Sequence, residues 1–330
     1  MTRNIKEIVN QHGNVHAPID PMGADHVVVL LAHFNGERVL GDQLQSLAQQ
    51  SHRNWSLLIS DDGSADGWMS VATDFVSSDP ARHVLLVNGP QQGFARNFLS
   101  LLKLAGPTVP FAAFCDQDDV WMPGKLEIAL RGLKSVPQGK PGLYCGRTTI
   151  CDANMTPRRP SPLFGKSPCF RNALVQSIGG GNTMVVNRAA LDLLQDTLPH
   201  AQGIVSHDWW VYQIVTGAGG EVIYDTEPQV LYRQHSDNLV GANDGWTARM
   251  VRLRSLMQGR FRTWNDAHFA ALKGAQHWLT EDAQRTLDTF HVARHGSLWR
   301  RLAGLHASGV HRQTSLGQLA LWMAGILKRL

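Results

Sequence analysis

The chain has 330 residues, enough for one large domain with a substantial appendage, and its 43% hydrophobic and 18% charged residues are typical of a soluble globular protein. Its four cysteines form no Cys-x-x-Cys pair and no zinc spacing, so we expect free thiols in a reducing compartment. From Gly245 onward 13 Lys and Arg stand against 4 Asp and Glu, a net charge of +9, whereas residues 1–244 hold 18 against 23, a net charge of −5. Such a basic region favours an anionic surface, either lipid or nucleic acid.

Residues 1–25 form a polar leader without an apolar run, which argues against a signal peptide. No stretch of the sequence reaches the roughly 18 consecutive apolar residues of a membrane span. Both observations predict a cytoplasmic protein.

Residues 26–136 alternate between buried strands and helices. The strands are predicted at residues 26–31, 55–60, 83–87 and 111–115, and their alternation with helices indicates a parallel sheet with right-handed crossovers. The sequence has neither the Gly-x-Gly-x-x-Gly dinucleotide fingerprint after the first strand nor a P-loop.

Polar residues follow the second and third strands. Asp61 and Asp62 precede a glycine turn, where they can accept hydrogen bonds from a base or ribose or simply form an Asx turn. Gly93, Arg96 and Asn97 open a helix, a position suited to phosphate or pyrophosphate.

The fourth strand ends in the densest acidic cluster of the chain, Asp116, Asp118 and Asp119. Carboxylates this close repel one another unless a cation or several donors compensate. Mg²⁺ and Mn²⁺ prefer oxygen ligands and bring substrate phosphates with them, so the cluster indicates a metal site. The alternative is a capping cluster at the start of the following helix.

Beyond residue 136, residues 142–151 are predicted to form one strand, residues 152–170 a loop or lid, and residues 221–224 and 229–232 a closing pair of strands. Ser206 is the predicted N-cap of a helix whose first turn holds Asp208. The tryptophans that follow Asp208 predict a half-buried setting that raises its pKa toward that of a general base.

Residues 246–330 have a helical and basic pattern. The last segment, Leu316–Leu330, has an apolar side and is too short to span a bilayer. It could lie on a membrane surface, or pack against the domain or a partner subunit. The residues on that side are Leu316, Leu319, Ala320, Met323, Ile326, Leu327 and Leu330.

Taken together, these segments resemble an inverting glycosyltransferase of family 2, most similar to its bacterial rhamnosyltransferase-like branch. The segments that carry the resemblance are residues 31–36, 60–66, 93–98, 114–126, 181–184, 207–210 and 231–235. The resemblance implies an α/β GT-A fold, Rossmann-like, with a mostly parallel central sheet flanked by helices. It divides the chain into a leader (1–25), a nucleotide-sugar-binding catalytic domain (26–245) and a basic helical C-terminal region (246–330).

The same resemblance implies roles for individual residues. Asp208 has the position of the catalytic base, and Mg²⁺ or Mn²⁺ would be held by Asp118, Asp116 and His235. Residues implied in donor binding are Asn35, Asp61, Asp62, Gly93, Arg96, Asn97, Asp116, Gln117 and Arg233. Residues implied in the acceptor side or the site loop are Trp121, Gly181, Asn182, His207 and Trp209.

The implied reaction moves a sugar from a nucleoside-diphosphate-sugar, dTDP-rhamnose or a UDP-sugar, to a hydroxyl of a cell-surface glycan or lipid-linked saccharide, as in polysaccharide or lipopolysaccharide synthesis. The basic C-terminal region suggests an anionic membrane surface at the inner face of the cytoplasmic membrane. No Gln-x-x-Arg-Trp motif is present, which points to one or few sugars per visit. No nucleic-acid-binding motif is found, and the oligomeric state stays open.

Two other functions are considered. A sugar-1-phosphate nucleotidyltransferase shares the nucleotide and metal requirements, but residues 33–38 lack the glycine-rich basic signature of that class. A non-catalytic glycan-binding subunit would keep the fold without turnover, and the presence of Asp118 and Asp208 argues against it.

Overall fold

A computed structural model of the chain describes residues 6–9, 23–79, 81–234 and 260–330. Its main feature is an eight-stranded sheet in the order β1-β4-β3-β2-β5-β10-β7-β11. The first five strands in that order are parallel, whereas β10 runs antiparallel to both β5 and β7. The strands are β1 (Lys6–Val9), β2 (Val27–His33), β3 (Trp55–Asp61), β4 (Val84–Asn88), β5 (Phe111–Cys115), β7 (Gly142–Gly146), β10 (Val185–Asn187) and β11 (Glu221–Asp225).

The central strands are apolar along their whole length because both faces of the sheet are covered. In β2, Val28 and Leu30 enter one hydrophobic core, and Val27, Val29 and Leu31 enter the other. This is the pattern expected of a parallel sheet between two helical layers. The predicted strands at residues 26–31, 55–60, 83–87 and 111–115 are confirmed to within two residues.

One helical layer consists of α1 (Glu37–Ala48), α2 (Trp68–Ser78) and α4 (Lys125–Leu133). The other contains α3 (Phe94–Leu104), the short α5 (Phe170–Ala173), α6 (Arg188–Thr197) and α7 (His207–Gly217). Each layer buries the apolar side of its helices on the sheet, which leaves the carboxyl ends of the parallel strands open to the loops that follow them.

A second, four-stranded sheet has the order β6-β12-β8-β9, where β6 is Val120–Trp121, β8 is Thr149–Cys151, β9 is Pro157–Pro160 and β12 is Val230–Arg233. The prediction of one strand over residues 142–151 was wrong, because the chain leaves the large sheet after Gly146 and enters the small one at Thr149. The closing strands are present, but they do not pair: β11 lies beside β7, and β12 lies between β6 and β8.

Four helices follow in the C-terminal part: α8 (Arg260–Gly274), α9 (Glu281–His295), α10 (Leu298–Ser308) and α11 (Ser315–Ile326). The predicted helical character of residues 246–330 is confirmed from residue 260 onward. These helices contribute to the same core as α3, α6 and α7, through Leu272, Phe290, Leu305 and Leu321 among others.

At the other end of the chain, Lys6–Val9 pairs with β4 in parallel, so four residues of the predicted polar leader form an edge strand of the sheet. Within the described part of the chain, no helix is long and apolar enough to cross a membrane.

Candidate active site

A cavity of about 1000 Å³ opens where the central parallel strands end. Three strands end at this cavity. Its lining includes His33 at the end of β2, Asp62 after β3 and Asp116 after β5. This is the edge at which open α/β sheets bind ligands. The predicted site residues that line the cavity are Asn35, Asp62, Gly93, Asn97, Asp116, Gln117, Asp118, Gly181, Asn182, His207 and Asp208.

Three carboxylates come together in the cavity: Asp116 and Asp118 from the loop after β5, and Asp208 from the first turn of α7. Burial, and then the charges of Asp118 and Asp208, raise the pKa of Asp116 to about 8. Carboxylates this close to one another attract either protons or a cation.

Asp119 belongs to the predicted acidic cluster but was not among the expected metal ligands; it lies behind this group and is fully buried. Its carboxylate accepts hydrogen bonds from Asn182 Nδ2 at 2.5 Å and from the backbone N–H of Arg233 at 3.2 Å. Burial and the neighbouring Asp118 and Asp116 raise its pKa well above the usual range. Asp119 therefore ties the acidic loop to the Gly181–Thr183 turn and to β12.

Asp208 is held by its own helix start. One oxygen, Oδ1, accepts hydrogen bonds from the Ser206 hydroxyl and, at 2.8 Å, from the Trp209 backbone N–H. Ser206 has the predicted N-cap position, but its hydroxyl binds Asp208 rather than the helix backbone. Burial raises the pKa of Asp208, the direction predicted from its apolar neighbours.

The donor set suits a hard cation, since Asp116 and Asp118 present carboxylate oxygens to the same space. Among the described residues no group of three His, Cys, Asp or Glu side chains is arranged to hold a metal ion. His235, the third predicted ligand, lies outside those residues. Two carboxylates fit a Mg²⁺-type ion that completes its shell with water and substrate phosphate.

Two loops on the far side of the cavity are held by polar side chains. Asp62 accepts backbone hydrogen bonds from Gln91 at 2.6 Å and from Gly93 at 2.7 Å, and thus fixes the turn before α3. Gly93 has φ of +86°, a conformation that favours glycine. Asn97 is buried and donates to the Ser60 carbonyl at 2.8 Å, which joins α3 to β3.

Gln117 joins the acidic loop to the loop after β2. Its Oε1 accepts from the Phe34 N–H at 2.8 Å, and its Nε2 donates to the Phe34 carbonyl at 2.9 Å. The next residue, Asn35, accepts from the Ala65 N–H at 2.9 Å. These hydrogen bonds therefore connect three loops at the edge of the cavity.

His207 is buried beside Asp208 and stacks on Phe98, with ring centroids 3.8 Å apart. Neither ring nitrogen has a hydrogen-bond partner within the described structure. Burial lowers the pKa of His207 to about 3, so the imidazole is neutral at physiological pH. A Cβ at Gly181 would lie 2.2 Å from His207 Nε2, which explains a glycine at that position.

Residues 28–191 match the model of the glycosyl transferase family 2. The chain is also similar to the dTDP-rhamnosyl transferase RfbG of Shigella flexneri. The two are 28% identical over 229 residues, which cover 68% of this chain and 78% of that protein. The chain belongs to the family 2 glycosyltransferases. The predicted resemblance to this family and to its rhamnosyltransferase-like branch is thus confirmed.

Other comparisons cover different parts of this glycosyltransferase. It is 33% identical over 104 residues to WfgD of Escherichia coli, a UDP-Glc:alpha-D-GlcNAc-diphosphoundecaprenol beta-1,3-glucosyltransferase, over 32% of this chain and 39% of that protein. The crystal structure of S. aureus TarS in complex with UDP superposes with a TM-score of 0.52 at 12% identity, covering 92% of this chain and 88% of that one. That likeness shows the fold, which is GT-A as predicted.

Five predicted site residues of the glycosyltransferase lie outside the cavity lining. The Asp61 carboxylate accepts hydrogen bonds from the Ser64 hydroxyl and backbone N–H. The Arg96 guanidinium donates a hydrogen bond to Gln202 Oε1. Trp121 is buried with the Lys125 ammonium 3.3 Å from its ring centroid, and Trp209 donates from Nε1 to the Ala173 carbonyl at 2.6 Å.

Arg233 is the fifth of these residues. Its buried guanidinium donates to the Asp118 carbonyl at 2.9 Å, to the Ala153 carbonyl at 2.7 Å and to the Asp42 carboxylate at 2.6 Å. It thus supports the backbone of the acidic loop from behind.

The cavity also has an aromatic wall that was not predicted from the sequence, formed by Phe34, Phe94, Phe164, Tyr224 and Tyr232. Phe34 and Phe94 are 53% and 40% exposed and lie within the segments 31–36 and 93–98 that carry the family resemblance, so their position was a usable signal. Phe164, Tyr224 and Tyr232 come from a predicted loop and two predicted strands, where nothing in the local sequence distinguishes a cavity wall from ordinary core.

Proposed function

We propose that this glycosyltransferase moves a sugar from a nucleoside-diphosphate-sugar to a hydroxyl of a glycan or lipid-linked saccharide. The observation that carries the proposal is the meeting of Asp116, Asp118 and Asp208 in one large cavity at the strand ends. Similarity to a dTDP-rhamnosyl transferase favours dTDP-rhamnose as donor, and WfgD and UDP-bound TarS make a UDP-sugar the alternative. The name of WfgD, which states a diphosphoundecaprenol-linked acceptor, supports a lipid-linked acceptor here.

A divalent cation fits the donor side of this proposal. The described lining of the cavity contains four aspartates, Asp62, Asp116, Asp118 and Asp208, and no lysine or arginine. Asp118 and Asp116 would hold Mg²⁺ or Mn²⁺, with His235 as a further ligand. When bound, the cation would stabilise the charge of the departing nucleoside diphosphate.

Asp208 is proposed as the base for a single displacement with inversion. Its Oδ1 is occupied by Ser206 and by the Trp209 N–H, which fixes the carboxylate in the cavity. The carboxylate would take the proton of the acceptor hydroxyl as that oxygen attacks the anomeric carbon from the face opposite the leaving group. His207 lies beside Asp208 in the cavity lining, and its buried imidazole stays neutral.

Thermal shift with Mn²⁺ and a panel of nucleoside diphosphates tests the donor site. A ligand at about 100 times its dissociation constant should stabilise the chain by about 2.7 kcal/mol. We expect one nucleotide to act, only with metal, and the effect to vanish in Asp118→Asn. Asp192→Asn on α6, which removes an exposed carboxylate outside the cavity, should respond as the wild type does. Failure of every nucleotide to shift the midpoint would contradict the proposed donor.

A further inference from the structure

The last two helices, α10 and α11, form a hairpin with an apolar surface that is exposed in the described part of the chain. The exposed apolar side chains of α11 recur at helical spacing, and Trp299 at the start of α10 is 78% exposed. We call this surface the hairpin face, and its residues are Leu298, Trp299, Leu316, Leu319, Met323, Ile326 and Leu327, each between 39% and 78% exposed.

The opposite side of the hairpin holds it in place. Leu321, Ala324 and Leu330 are buried, and Gly325 lets Leu305 of α10 approach so closely that a Cβ there would lie 2.6 Å from it. The buried guanidinium of Arg301 donates to the carbonyls of Gly325 and Ile326 at 2.7 and 3.1 Å. The start of α10 therefore lies beside the end of α11, which brings Trp299 to the same end of the hairpin as Ile326 and Leu327.

The basic residues around the hairpin face indicate an anionic partner. Residues 296–330 contain five basic residues and no Asp or Glu, and Arg300, Lys328 and Arg329 are exposed at the same end as Trp299. Apolar side chains with tryptophan and surrounding cations match an anionic lipid surface. A second copy of the chain would instead bring like charges together.

We propose that the hairpin face docks on an anionic membrane surface. The hairpin is also joined to the cavity wall: the loop that contributes Pro162 and Phe164 continues to Lys166, whose N–H binds Gln313 Oε1 at 3.0 Å and whose Nζ binds the Arg312 carbonyl at 2.9 Å. Docking therefore brings the Phe164 side of the cavity close to the lipid, where a lipid-linked acceptor would be. This last consequence rests on the proposed function.

Vesicle co-sedimentation of the full chain tests the docking. We expect binding to vesicles of phosphatidylcholine mixed with phosphatidylglycerol, weaker binding at high salt, and little binding to phosphatidylcholine alone. Leu319→Glu with Met323→Glu should weaken binding by about tenfold or more, because both exposed side chains would otherwise enter the apolar layer. Leu104→Glu, at an exposed position of α3, is the matched control and should bind as the wild type does.

The electrostatic part has its own pair of variants. Lys328→Glu with Arg329→Glu should also weaken binding by about tenfold or more, whereas the exposed pair Arg131→Glu with Lys134→Glu should not. The proposal would be overturned if the wild-type chain did not bind anionic vesicles, or if the variants of the hairpin face and of its basic end bound them as strongly as the wild type. So would a dimer that Leu319→Glu with Met323→Glu dissociates, since the face would then belong to a second copy. None of these assays needs donor or turnover, so the result is independent of the nucleotide experiment.

Discussion

Among single residues, the carboxylates of the site differ in what their oxygens accept. Asp62 binds two backbone N–H groups and Asp119 binds Asn182 and Arg233, so both hold the frame of the cavity. Asp208 lines the cavity, and its Oδ1 accepts from the Ser206 hydroxyl and the Trp209 N–H, which supports its proposed role as base.

Asp208→Asn is the direct test of that difference. The amide keeps the shape of the side chain but cannot take a proton, so kcat should fall by about 10²- to 10⁴-fold. Binding of the nucleoside diphosphate with metal should persist, measured by thermal shift beside the turnover assay. A variant with wild-type turnover would remove Asp208 from its proposed role, and a wild-type chain without turnover on any donor would favour the non-catalytic alternative.

Gly181→Ala should disturb the site by steric means. Because the new Cβ would lie 2.2 Å from His207 Nε2, the ring or the turn must move, at about 1–3 kcal/mol of unfolding free energy. Gly203→Ala, where nothing lies within 4 Å, is the control and should change stability by less than about 0.5 kcal/mol. Urea denaturation of both variants gives the comparison, and equal stabilities would show that His207 moves away at no cost.

At the scale of elements, α8 is fastened to the loop before Asp208 through His268. Its Nδ1 lies 2.8 Å from Gln213 Oε1, and its Nε2 accepts from the Val205 N–H at 3.3 Å, so the network requires the neutral Nδ1–H tautomer. Burial lowers the pKa of His268 to about 3, and protonation of Nε2 would break the bond to Val205.

This contact makes the fold acid-sensitive in a defined window. The His268 imidazole binds a proton near pH 6.5 in the unfolded state but only near pH 3 in the folded state. Its contribution to the free energy of unfolding is therefore complete above pH 6.5 and is lost as the pH falls from there toward 3. By pH 5 the loss from His268 should be about 2 kcal/mol. His268→Gln should show a flatter dependence of unfolding free energy on pH; a slope equal to that of the wild type would contradict the assignment.

The elements that could be predicted from the sequence are those whose burial shows in consecutive residues. Strands such as Val27–His33 are apolar on both sides, so their runs were visible, and the polar residues at their ends could be grouped from the expected sheet. The change of sheet after Gly146 was not visible, because strand-forming residues stand on both sides of it. The buried side of α11 was not distinguished from the exposed one, because apolar residues stand on both: Leu321 and Ala324 are buried, whereas Leu319 and Met323 are exposed. Leu330, which was grouped with the exposed residues, is buried.

For the molecule as a whole, the C-terminal helices share one core with the helical layer that contains α3, α6 and α7. Leu287 and Phe290 of α9, Leu305 of α10 and Leu321 of α11 pack in the same cluster as Phe98 and Trp210. The basic region thus adds to the stability of the domain as well as to its charge.

Deletion of residues 315–330 should therefore destabilise the chain. It removes buried Leu321 and Leu330 and the carbonyl partners of Arg301 and Arg294, and we expect a loss of more than about 3 kcal/mol in unfolding free energy. Leu319→Glu with Met323→Glu, confined to the exposed side, should leave the thermal midpoint nearly unchanged. A truncated chain as stable as the wild type would show that α11 is dispensable for the core.

The position of β10 has a consequence for synthesis on the ribosome. β10 lies between β5 and β7, although it follows both in the chain, and the other neighbour of β7 is β11, later still. Gly142–Gly146 therefore has no sheet neighbour until Val185–Asn187 has emerged, while β2 to β5 can already pair. While residues 147–185 are being synthesised, an apolar strand has two unpaired edges. Over that interval we expect the nascent chain to be prone to aggregation and to need a chaperone.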